Sequence, residues 1–228
     1  ATVGITTAQP RSGAGSLQFQ TVTVVSGQDK ADFTKTWVDP TRTLGTLSDV
    51  SFEYYRDSSS TTAAHFIPVL RLLFWEDEAP AGVGPEDHVG YLIWEGNYNG
   101  IASAPTNSWQ SENLFTGNFW MRYVSGPNYV GGCERTIQNY NVTLNDWITG
   151  SPQGQPGDCV APDLDASTNI YGVNTGVGSG WGANFLGYVD NVALFFGADE
   201  VSANFEPDPQ CAMVCYADAV NGNDANDG

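Results

Sequence analysis

The stretch AHFIPVLRLLFW, residues 64–75, decides the fold. Phe66, Leu70, Leu72 and Phe74 fall on one side of it and Arg71 and Trp75 on the other, an alternation at period two that marks a half-buried strand. Pro68 stands inside the run and offers no backbone N–H, so an edge position or a bulge is expected there. The same period recurs outward from this stretch. Residues 17–25 alternate Leu and Phe against Gln and then turn Thr/Val-rich, and Val50, Phe52 and Tyr54 share a face opposite Ser51, Glu53 and Tyr55. Residues 89–95, 118–124, 169–175 and 185–196 bring the set to at least seven strands, which predicts an all-β antiparallel sandwich of two sheets. Residues 76–88 and 97–110, rich in Gly, Pro and Asn, read as loops. Thr143 and Asp146 have the spacing of a capping box over a single helical turn.

Composition agrees with this. The 26 glycines and 12 prolines punctuate short apolar runs, which suits many strands, and 12 % aromatic residues are too many for a disordered chain. At 228 residues the expectation is one main domain, spanning 1–204. FEPDPQ, residues 205–210, reads as a linker, and 205–228 as that linker and the opening of a further domain. With 26 acidic residues against 8 basic ones the formal charge is −18, and no Lys or Arg follows Arg135. That excludes a nucleic-acid partner, because neutralising phosphates takes clustered cations. It also favours a hard cation such as calcium, since twelve acids follow Arg135. Most of those acids read as solvated surface charge. No apolar run approaches the roughly eighteen residues of a membrane span, and Ala1 reads as the start of a mature or trimmed chain. Cys133, Cys159, Cys211 and Cys215 lie in Gly/Pro/Asp-rich stretches without His nearby, which points to disulfides and an extracellular compartment. Three pairings are possible; Cys133 with Cys159 and Cys211 with Cys215 are preferred because each closes a local loop.

Three segments carry a family resemblance. RSGAGSLQFQ, residues 11–20, resembles the early strand of jelly-roll carbohydrate-binding modules, in which a Ser-Gly turn precedes the strand. FLGYVDNVALFF, residues 185–196, resembles their last strand, with its Asp-Asn pair between apolar residues. CYADAVNGNDANDG, residues 215–228, looks like the opening of right-handed parallel β-helix proteins secreted by bacteria. The resemblance implies a jelly-roll sandwich that binds extracellular polysaccharide. It also implies a structural calcium held by Asp190, the Ser12–Ser16 turn and an N-terminal Glu. No Glu precedes the turn here: either the first strand has been lost, or Glu206 or another acid substitutes, or there is no metal. Asp190 within an apolar strand needs compensation in any case, from a cation or from backbone N–H groups.

Sugar recognition takes flat aromatic faces and a few planar hydrogen-bonding groups. The candidates are Trp94, Trp120, Arg71 and Arg122, which would line a shallow groove if their strands share a sheet, with Tyr98 closing one end. Trp is also an ordinary core residue of sandwiches, whereas an Arg in an apolar strand must find a carboxylate, a carbonyl or a ligand. Trp181, in a Gly-rich loop, reads either as a surface contact or as a plug over the sandwich end. Catalysis has weaker signals: the acids Glu76, Asp77 and Glu78 lead directly into Ala79-Pro80 and read as a loop, and His65 and His88 have no visible partner. The expected function is therefore a non-catalytic carbohydrate-binding module. The alternatives are a self-associating adhesive module and a jelly-roll glycoside hydrolase or polysaccharide lyase.

Overall fold

The computed structural model describes residues 1–22, 29–76, 88–125, 133–137, 139–150, 162–178 and 180–207. Twelve strands follow in chain order: β1 (Thr2–Thr6), β2 (Ser16–Thr21), β3 (Lys30–Thr36), β4 (Leu47–Arg56), β5 (Val69–Glu76), β6 (His88–Trp94), β7 (Trp109–Asn113), β8 (Phe119–Ser125), β9 (Cys133–Ile137), β10 (Asn169–Gly178), β11 (Phe185–Phe196) and β12 (Asp199–Ala203). The first sheet runs β1-β2-β11-β4-β7, with β12 beside β11, and the second runs β3-β10-β5-β6-β8-β9. All pairings between these strands are antiparallel. The chain crosses repeatedly between the sheets, which gives the jelly-roll sandwich that the sequence predicts.

Alternation fixes which face each strand buries. Val50, Phe52 and Tyr54 of β4 meet Leu70, Leu72 and Phe74 of β5 in one core, with Leu17 and Phe19 from β2 and Val189 and Leu194 from β11. Trp94 packs edge-on against Phe52, ring centroids 5.7 Å apart, and so ties the second sheet to the first. Burying each such side chain contributes about 1.5–3 kcal/mol, so this layer is the main source of stability. Pro68 stands one residue before β5 rather than within it, and that is why β5 can be a central strand. The helical turn α1 (Leu144–Ile148) has both halves of its capping box, with Thr143 and Asp146 as partners, and it buries Leu144 and Trp147.

One sequence expectation is revised by packing. Phe205, placed at the head of a linker, is buried, its ring edge-on to Phe33 at 5.0 Å, so the sandwich extends through it. Residues 208–228, which hold the rest of the expected linker and the β-helix-like segment, lie outside the described residues. So do Cys159, Cys211 and Cys215, while Cys133 opens β9; the preferred disulfide pairing therefore also falls outside them.

Candidate functional site

The outer face of the second sheet carries a groove. Register places Thr34, Asn174, Arg71, Ile93 and Trp120 side by side across β3, β10, β5, β6 and β8, and the next row brings Tyr91 opposite Arg122. These residues point away from the core because each is one position out of phase with a buried neighbour: Leu70 and Leu72 around Arg71, Phe119 and Met121 around Trp120. The groove has a volume of about 400 Å³, and Lys30, Asp32, Arg71, Glu95, Trp120 and Arg122 supply its polar and aromatic lining.

Its floor is a connected polar network. Arg71 donates to Asp32 Oδ1 at 2.8 Å and to the side-chain oxygen of Asn174. Asn174 in turn donates to Thr34 Oγ1 at 2.7 Å, and Lys30 pairs with Asp32 Oδ2 at 2.5 Å. Asp32 on β3 reaches Arg71 on β5 by crossing over β10, and Gly176 makes that crossing possible: a Cβ there would lie 1.8 Å from Asp32 Oδ1. Gly176→Ala is accordingly expected to destabilise the fold by about 1–3 kcal/mol through overpacking, read as a lower urea midpoint. An unchanged midpoint would mean that Asp32 does not cross there.

Burial raises the Glu95 carboxyl above its ordinary pKa, while the charge of Arg71 and the indole N–H of Trp120 work in the opposite direction. That N–H faces the carboxylate without reaching full hydrogen-bond geometry. Trp120 stands edge-on to Tyr140, which stacks on Tyr98 with ring centroids 3.7 Å apart. Burial, followed by the hydrogen bond with Tyr98, pushes the Tyr140 hydroxyl up to about 12. Trp181 is half-buried against the core. It stacks on Phe66 at 4.8 Å over the sandwich end and also borders the groove.

Of the five residues expected to bind sugar, Arg71, Trp120 and Arg122 line the groove. Tyr98 stands behind Tyr140, and Trp94 faces the core. Trp94 shares its parity with the buried Leu92, whereas Ile93 and Glu95 on either side of it face out. Counting at period two along β6 separates these residues. Asp32, Asn174 and Glu95 went unrecognised, Asp32 because it lies on an edge strand whose sequence, KADFTKT, has little apolar signal.

A larger cavity, about 750 Å³, opens between Trp37, Trp75, Tyr171 and the 163–169 segment. Its carboxylates are occupied locally: Asp39 accepts from Thr41 N and Oγ1, and Asp165 from Ser167 N and Oγ. Glu76, from the acidic run considered for catalysis, is buried and paired with His88 Nδ1 at 3.1 Å, directly opposite it on β6. Asp77 and Glu78 lie outside the described residues.

The residues read as calcium ligands form a clasp on the first sheet. β4 pairs with β11 along most of its length, so β2 and β12 share the other edge of β11 and meet near Asp190. A register shift follows Asp190, and Asn191 adopts a φ of 48°, a left-handed conformation that Asn tolerates. The fully buried Asp190 carboxylate accepts three backbone N–H groups, from Ser12 at 3.0 Å, Asn191 at 2.9 Å and Phe205 at 3.2 Å. Asn191 donates to Ser12 Oγ and to Glu53 Oε2, both at 2.7 Å, and Arg11 closes the cluster on Glu53. Burial pushes the Glu53 carboxyl up, but its bonds from Arg11 and Asn191 outweigh that and hold it below the usual range. Ser16 Oγ donates to Gln9 O, and Glu206 Oε2 accepts from Ala14 N at 2.6 Å, across a turn in which Gly13 has a φ of 74°.

Of the two ways of compensating Asp190, the structure contains the backbone N–H donors. Among the described residues no group of three or more His, Cys, Asp or Glu side chains is placed to hold a metal ion, and no helix is long and apolar enough to cross a membrane. Comparison of the chain with protein-family models, with curated proteins and with solved structures finds no match.

Proposed function

We propose that this domain is an extracellular carbohydrate-binding module whose site is the groove on the outer face of the second sheet. One observation carries the reading: Trp120 and Arg122 on β8 and Arg71 two strands away on β5 stand around a single groove, with Asp32, Asn174 and Glu95 beside them. An aromatic face ringed by planar hydrogen-bonding groups suits the apolar face and equatorial hydroxyls of a pyranose. The resemblance of residues 11–20 and 185–196 to jelly-roll carbohydrate-binding modules points the same way. Calcium has a place in this reading at Glu206, whose buried Oε1 has no hydrogen-bond partner. Turnover of the glycan is the second reading. It is favoured by Glu95, whose burial keeps its proton to higher pH, in the same groove as the ion-paired Asp32.

The test is a glycan screen on the purified chain, followed by tryptophan fluorescence, in calcium and again in chelator, with light scattering on the same sample. Saturable quenching by one glycan class is expected from a monodisperse species, with a thermal midpoint several degrees lower in chelator that calcium restores, as an ion at Glu206 requires. An equal midpoint in both buffers would remove calcium from Glu206 and leave Asp190 compensated by its N–H donors alone. No glycan response alongside a large scattering species would overturn the module in favour of self-assembly, and release of reducing ends would overturn the non-catalytic reading.

A further inference from the structure

The charge of the groove names the class of glycan. The chain has 8 basic residues against 26 acidic ones, yet Lys30, Arg71 and Arg122 all line this groove, three cations against the two carboxylates of Asp32 and Glu95. A surface this acidic repels polyanions at long range, and only a local concentration of cations reverses that. Asp32 and Asn174 both accept from a single guanidinium nitrogen of Arg71, which among the described residues leaves the other N–H donors of the fork to a ligand in the groove. Arg122 is the next outward residue after Trp120 on β8, and Arg71 lies level with Trp120 two strands away. With strands about 4.8 Å apart and a rise of about 3.4 Å per residue, the two arginines begin roughly 7–10 Å from Trp120 on different sides of it. A sugar ring stacked on that indole would have a cationic donor on each of two sides.

Resting on the glycan-binding reading, we propose that the ligand is an acidic polysaccharide carrying uronate carboxylates, with Trp120 as the stacking platform and Arg71 and Arg122 as carboxylate partners. The planar guanidinium fork matches a planar carboxylate in two parallel hydrogen bonds, a geometry that neutral hydroxyls do not exploit. Lys30 contributes a point charge at the β3 side of the groove.

The experiment is a titration of the full chain with polygalacturonate, with its fully methyl-esterified form and with dextran sulfate, at low and at physiological salt, read by Trp fluorescence. Polygalacturonate is expected to bind at least tenfold more tightly than the ester, and Arg122→Gln to abolish that preference. Lys30→Gln, on the groove rim, provides a second variant should the first perturb folding, and is expected to lower the preference severalfold. Equal binding of ester and acid would overturn the uronate assignment and leave the glycan module standing. Stronger binding of dextran sulfate than of polygalacturonate would overturn it in favour of sulfate esters. No binding of any saccharide would remove the module itself.

Discussion

Replacing Asp190 with Ala is expected to cost the fold about 3–5 kcal/mol, a large part of the stability of a domain this size. The reason lies in where the carboxylate stands. The last long strand has to serve β2 along its first half and β12 along its second, and three separate chain segments converge at the change of partner. Each brings a backbone N–H that its own ladder does not satisfy, from Ser12, Asn191 and Phe205. One fully buried carboxylate accepts all three, and Arg11, drawn in by Glu53, adds a positive charge nearby. With Ala at this position the three donors remain buried with nothing to bond, and each costs about 1–3 kcal/mol unless water can enter. Asp190→Asn is the informative companion. It keeps one oxygen but turns an amide N–H2 toward donors, so its loss should approach that of Ala even though its shape is unchanged. Urea denaturation with a fitted slope reads both variants. A change under 1 kcal/mol for Asp190→Ala at unchanged slope would show that the clasp is not what joins these segments.

The Asp-Asn pair within β11 thus joins three chain segments through its own hydrogen bonds. How far the rest of the molecule was legible depends on where each strand sits. The strands read from sequence, β2, β4, β5, β6, β8, β10 and β11, are the interior strands of the two sheets. Those missed are β1, β3, β7 and β9 at the sheet edges, and β12, which pairs only with half of β11. Edge strands have one neighbour and keep polar side chains that discourage pairing with other chains, so runs such as WQSEN and DEVSA resemble loops by composition. The site inherits this asymmetry. Arg71, Trp120 and Arg122 lie on interior strands and could be found, whereas Asp32, which anchors Arg71, lies on an edge strand and could not. Phe205 was misplaced for a related reason, because a single aromatic between polar residues and prolines gives no periodicity to read.

The two tryptophans of the second sheet should separate cleanly under mutation. Trp94 is 2 % exposed and holds Phe52 of the opposite sheet, so Trp94→Ala is expected to lose about 3–5 kcal/mol through the lost burial and the cavity left behind. Trp120, one strand away, is half-buried on the outer face and touches the core only through its backbone neighbours Phe119 and Met121. Trp120→Ala should therefore change stability by no more than about 1 kcal/mol, as an outward position does. Glycan affinity should behave in the opposite way. Truncating a central aromatic contact costs about 2 kcal/mol or more, roughly a thirtyfold loss, so Trp120→Ala should abolish measurable binding while its denaturation curve overlays the wild type. Trp94→Ala, examined at a temperature where it stays folded, should bind within a few-fold of wild type. Chemical denaturation and fluorescence titration on the same two variants decide the matter. If Trp120→Ala bound normally and Trp94→Ala did not, the ligand could not be sitting on the outer face, and the groove would lose its assigned role.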